Sequence, residues 1–115
     1  MPPMTYVSAA HVKGPLPDVG IRVGADTGDP WVGLLGVGSV SPGSVGIWEC
    51  QPGGWSIDNR PDTEVAFFLA GQARITDGET GKSYTVSAGD LVVLPRGWSG
   101  RWDVIAPVRK VFVVF

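Results

Sequence analysis

The stretch AGDLVVLPRGWSGRW, Ala88 to Trp102, decides the fold. It begins with a Gly-containing turn, passes through the Val/Leu run DLVVLP that a proline closes, turns again at RGWS, and enters a further apolar run at GRW. Short β-prone runs punctuated by Gly and Pro are strand signals and leave no length for a helix. The same rhythm continues in both directions. Upstream lie TEVAFFLAG (Thr63–Gly71), QARIT, the polar turn DGETG and KSYTV. Downstream lie SGRWDV, the corner IAP and VRKVFVVF. Further upstream, WVGLLGVG (Trp31–Gly38) and SVGIWEC (Ser44–Cys50) read as strands separated by SVSPG, WSID is a shorter strand, and NRPD is a turn. The first thirty residues carry turn formers every few positions and read as an extended arm with one or two short strands. The expectation is an all-β chain, an antiparallel barrel or sandwich. Residues 1–43 supply the arm and first short strands, and residues 44–115 the core of the same domain.

The totals agree. A chain of 115 residues has room for one domain with a core of its own. Hydrophobic residues are 43% and charged residues 17%, which separates it from disordered and coiled-coil chains. A net charge of −2 offers no broad basic face for a phosphate backbone, so nucleic acid is not an expected partner. Cys50 is the single cysteine; it excludes an internal disulfide or a CxxC metal pair and suits a reducing compartment. With no basic-then-apolar leader and no 18-residue apolar run, the expectation is a cytoplasmic protein without a membrane role. The apolar run VFVVF at 111–115 must be covered on both faces or paired at an oligomer contact, since an open edge of this kind aggregates. A homodimer through the arm or an edge strand is therefore expected.

The order of the motifs resembles the cupin superfamily, specifically the small single-domain cupins grouped with the ureidoglycine aminohydrolase type. Gly89, Pro95 and Gly97 stand at the spacing of the second cupin motif, and Gly100 occupies the position of its histidine. Glu64 and Gly71 match the Glu and Gly of the first motif, while Ile57 and Asn59, or Asp58 and Arg60 at the shorter spacing, stand where two histidines would. Trp48–Glu49, Trp55, EVAFFLAGQARIT, GRWDV and APVRK add to the likeness, which covers about residues 44 to 115. The resemblance implies a cupin-type antiparallel jelly-roll barrel. It also implies, for relatives that keep the histidines, manganese binding and ureidoglycine hydrolysis. Here a lone carboxylate on an apolar strand cannot hold a transition metal, which needs several nitrogen or thiolate donors. No metal and no other cofactor are expected, the alternative being an unconventional set of Glu64, Asp58, Asn59 and Cys50.

Alternation puts Glu64, Ala66, Phe68 and Ala70 on one strand face, which the resemblance turns inward. A buried carboxylate needs a partner and makes a candidate acid or base. Lys110 is the natural counter-charge if Lys110, Phe112 and Val114 face inward; the other parity presents Arg109, Val111 and Val113 instead. Such a lysine can serve as a base or iminium former, or simply as a salt bridge closing the barrel. Trp55, Ile57 and Asn59 share a face, Asn59 offering a donor and an acceptor. Trp102 lies beside the small Gly100, which leaves volume before its ring. Arg96 and Arg101 are candidates for gripping a carboxylate at the barrel mouth. The leading expectation is a metal-independent cupin binding a small polar metabolite against Trp55, Ile57, Phe68 and Trp102, with Arg96 at the rim. One rival is an enzyme of proton transfer (isomerisation, hydrolysis or elimination), with Glu64 as acid or base and Lys110 or Asn59 stabilising negative charge. The other is a structural dimer with a filled barrel.

Overall fold

The computed structural model describes residues 3–40 and 43–115. A short helix α1 (Ala9–Lys13) precedes nine strands: β1 (Asp18–Ile21), β2 (Ala25–Gly28), β3 (Trp31–Val40), β4 (Gly43–Cys50), β5 (Gly53–Ile57), β6 (Glu64–Asp77), β7 (Ser83–Ser87), β8 (Leu91–Leu94) and β9 (Gly100–Val114). All pairings are antiparallel. The turn expected at SVSPG lies partly outside the described residues, since residues 41 and 42 are not among them.

Two strands organise the molecule. TEVAFFLAG and QARIT, which read as separate strands, form the single strand β6, and SGRWDV and VRKVFVVF form the single strand β9 across the IAP corner. Each bends midway and belongs to two sheets. In the first sheet, the order is β1, β3, β4, the second half of β9, the first half of β6, and β8. In the second, it is β2, β5, the first half of β9, the second half of β6, and β7. The β6–β9 register shifts between Phe68 and Ala73, where the strands cross from one sheet to the other. Gly71 sits in this bend at φ 82°, and a Cβ there would fall 1.9 Å from the Pro107 carbonyl oxygen. Only glycine fits both the conformation and the space. The result is the antiparallel jelly roll expected, closed around Phe68, Trp55, Trp102, Cys50 and Val108.

Helix α1 was not legible from periodicity, being five residues long. Ser8 caps it by accepting a hydrogen bond from the His11 amide, and Arg109 Nη1 donates to the Val12 carbonyl at 2.8 Å. Arg109 also pairs with Glu49 at 3.2 Å, which ties the arm to the outside of the barrel. His11 is exposed on this helix, away from the interior.

Candidate ligand-binding site

Alternation along β9 resolves in favour of Lys110. Lys110 is the register partner of Trp48 on β4 and of Phe68 on β6, and it is 6% exposed. Its side chain runs along the barrel toward Glu64, the first residue of β6, which is 5% exposed. Lys110 Nζ donates to Glu64 Oε2 at 2.5 Å. The same nitrogen lies 4.3 Å from the Trp48 ring centroid and 4.5 Å from that of Trp102, close enough for both π faces to favour the positive charge. Burial pushes the Lys110 ammonium below its usual range, and the Glu64 carboxylate opposes that shift.

The second Glu64 oxygen is 3.2 Å from Arg60 Nη1, and Arg60 also holds Asp62 at 2.8 Å. Arg60 lies within the NRPD turn (Asn59–Asp62), four residues before Glu64, so the turn folds it back toward the start of β6. Arg22 arrives from another direction. Strand β1 pairs with β3 in the first sheet and β2 with β5 in the second, so residues 22–24 bridge the two sheets at one end of the barrel. There the Arg22 guanidinium lies 5.2 Å from the centroid of Trp55. Arg22 Nη1 donates to the Val23 carbonyl at 2.6 Å, and no carboxylate forms a salt bridge with Arg22 among the described residues. Burial pushes the Arg22 guanidinium below its usual range too.

These groups border a cavity of about 150 Å³. Trp48, Trp55, Trp102, Glu64 and Lys110 form its inner wall, and half-buried Arg22, Ile57, Arg60, Phe112 and Val114 its outer part. Trp55 and Trp102 are directly paired across β5 and β9 and stack at 6.0 Å with 9° between planes. Both are 2% exposed, and neither indole N–H has an acceptor among the described residues. Two buried donors without an acceptor are a cost that the packing of the stacked indoles must offset.

Residues 38–112 match the EutQ-like cupin domain family. The chain belongs to the EutQ-like cupins. Among solved structures, this cupin resembles the EutQ protein of Clostridium difficile (19% identity, TM-score 0.64, 75% of this chain and 68% of that one). It also resembles a DUF861-family protein of unknown function from Pseudomonas syringae pv. tomato (20%, 0.80), with 90% of this chain covering 46% of that one. A DUF861-family protein from Thermotoga maritima shares 35% identity over 60% of this chain and 76% of its own, with a TM-score of 0.55. No curated protein matches the chain.

A transition metal does not fit this cupin's donor set. Both Glu64 oxygens are committed to cationic side chains, and the rest of the cavity wall is indole, phenyl, aliphatic and guanidinium. The unconventional set does not assemble: Asp58 and Asn59 are exposed beyond the end of β5, Cys50 lies in the core, and the described residues hold no cluster of three His, Cys, Asp or Glu side chains. Burial pushes the Cys50 thiol up to about 12, which leaves it protonated and unreactive at neutral pH.

Of the residues singled out in the sequence, the fold brings together Glu64, Lys110, Trp55, Ile57 and Trp102 at the cavity. Phe68 lies behind it, 6.0 Å from the Trp102 ring, as a packing residue. Asn59 does not follow Trp55 and Ile57 inward. It has left the strand at φ 49° and its amide donates to Ser99 Oγ at 2.9 Å. Arg96 turns outward and donates to the Pro61 carbonyl at 2.8 Å. Arg101 is held outside by Asp26 and Asp103. Gly100 leaves no slot before Trp102: a Cβ there would fall 2.3 Å from the Trp98 ring and 2.3 Å from the Thr76 carbonyl oxygen. Sequence alone gave Arg22, Trp48 and Arg60 no place at the cavity, although Arg60 stands at a histidine position of the first motif and Trp48 is part of the resemblance. The spacing of Arg60 to Glu64 was an available signal; Arg22 carried none.

Proposed function

We propose that this cupin binds a small, negatively charged polar metabolite in the barrel cavity, without a metal. The observation that carries the reading is Arg22, a half-buried cation at the cavity with no carboxylate partner among the described residues. Three cationic side chains, Arg22, Arg60 and Lys110, line the cavity against one carboxylate, Glu64, although Asp62 offsets part of the Arg60 charge from outside. A carboxylate on the ligand would take a charge-assisted, planar contact from Arg22. A cavity of about 150 Å³ has room for a molecule of about benzene size, which limits the ligand to a compact acid.

The test is a titration of Trp emission with two- to four-carbon carboxylates and their matching amides. The carboxylates are expected to alter the emission and the amides not to. Arg22→Met should weaken the response about tenfold to a hundredfold, the value of a hydrogen bond to a charged group, about 1.5–3 kcal/mol. Equal responses to acid and amide would sink the reading.

A second reading is favoured by the 2.5 Å contact of Lys110 with Glu64. A proton can pass between these groups within the cavity, so Glu64 can act as acid or base toward the bound molecule with Lys110 stabilising developing negative charge. Glu64→Gln should abolish turnover of any substrate while leaving its affinity largely intact. Kinship at the finer level of the ureidoglycine aminohydrolase type rests on the motif spacing alone and transfers no reaction to a cavity without histidines.

A further inference from the structure

Resting on the reading that the cavity takes a small anion, we propose that Lys110 is a nucleophile that forms a reversible imine with a 2-oxo acid held in the barrel. The chain has three lysines, and Lys13 and Lys82 are exposed. Lys110 alone stands in the wall of a cavity, with its nitrogen at the contact with Glu64 and beneath the faces of two indoles. The indole faces favour a cation at this nitrogen, the ammonium before the reaction and the iminium after it, but take no proton from it. Glu64 is the one hydrogen-bond acceptor for the nitrogen among the described residues, so the proton that must leave before the amine can attack has a defined destination.

The second requirement is a grip that brings a carbonyl to that nitrogen. Arg22 supplies it for a carboxylate, and a carbonyl on the adjacent carbon fits a cavity of this size. The step balances without any further reactant. The ammonium passes a proton to the Glu64 carboxylate; the free amine adds to the carbonyl carbon, and a proton moves from nitrogen to oxygen to give a carbinolamine. Protonated Glu64 then returns its proton to the hydroxyl, water leaves, and a cationic imine remains beside the Glu64 carboxylate. The total charge of the pair is unchanged. Burial, which lowers the cost of losing the ammonium proton, acts in the same direction.

The experiment incubates the native protein with pyruvate in the presence and absence of borohydride, then reads intact mass, peptide map and Trp emission. One reduced pyruvyl group on Lys110, appearing only with reductant, is expected. Lys110→Arg should give none, and Glu64→Gln should slow the trapping about a hundredfold, the scale of general acid–base assistance. The peptide map of the wild-type adduct stands even if a variant fails to fold. An emission change without an adduct overturns the imine and leaves the anion-binding reading intact. Neither emission change nor adduct overturns both. Labelling of Lys13 and Lys82 as fast as Lys110 also overturns the proposal, because the cavity then confers no reactivity.

Discussion

At the scale of single residues, Lys110 and Glu64 are the buried ion pair among the described residues. Each is buried; without Glu64 the Lys110 ammonium has no carboxylate partner, whereas without Lys110 the Glu64 carboxylate still keeps Arg60 at 3.2 Å. Glu64→Leu should therefore lose about 3–5 kcal/mol of stability, whereas Glu64→Leu combined with Lys110→Met should recover most of that loss. Urea unfolding of the two variants decides it; equal losses would mean that the pair contributes nothing as a pair. The pH dependence has a definite sign. Lys110 has a lower pKa in the folded protein than the usual 10.5, chiefly from burial. Between the two values the unfolded chain binds more protons, so stability gained through this group is absent below the folded pKa and rises with pH toward 10.5. Lys110→Met should lack that rise. This pairing was legible because alternation along β6 and β9 leaves few choices of face. Arg22 was not legible, because its place depends on two short strands pairing with opposite sheets. Asn59 was misplaced for a related reason: alternation holds only while the strand lasts, and β5 ends at Ile57.

At the scale of elements, the bends in β6 and β9 decide the architecture. Turn residues within FLAGQ and VIAPV read naturally as strand ends, yet the backbone continues to pair on either side of them. A glycine in the left-handed region and a proline corner serve equally for a turn and for a strand that changes sheets, so composition could not separate the two. Short, regular strands such as β4, β7 and β8 were legible because each is bounded by turn residues and paired along its length. Gly71→Ala tests the bend. The left-handed conformation costs about 1–2 kcal/mol for a residue with a Cβ, and the close approach of Pro107 adds to it. A urea midpoint that stays where it is in the wild type would show that β6 bends without needing glycine there.

At the scale of the molecule, the two sheets cannot be separated, because β6 and β9 are members of both. Unfolding one sheet removes the central strands of the other, so the barrel should unfold as one cooperative unit. Trp emission, which reports the interior through Trp48, Trp55 and Trp102, and far-ultraviolet circular dichroism, which reports the strands, should give superimposable urea transitions. Emission lost ahead of the strand signal would mean that the cavity region opens independently.

The position of β9 also bears on how the chain is made. It lies between β4 and β6 in one sheet and between β5 and β6 in the other, yet of the nine strands it leaves the ribosome last. Until Gly100–Val114 emerges, β4 and β5 have no neighbour on their inner side, and the apolar faces of Trp48, Trp55 and Phe68 have nothing to close against. The eight earlier strands therefore wait open on the ribosome, and the barrel closes around β9 once Gly100–Val114 has left the exit tunnel.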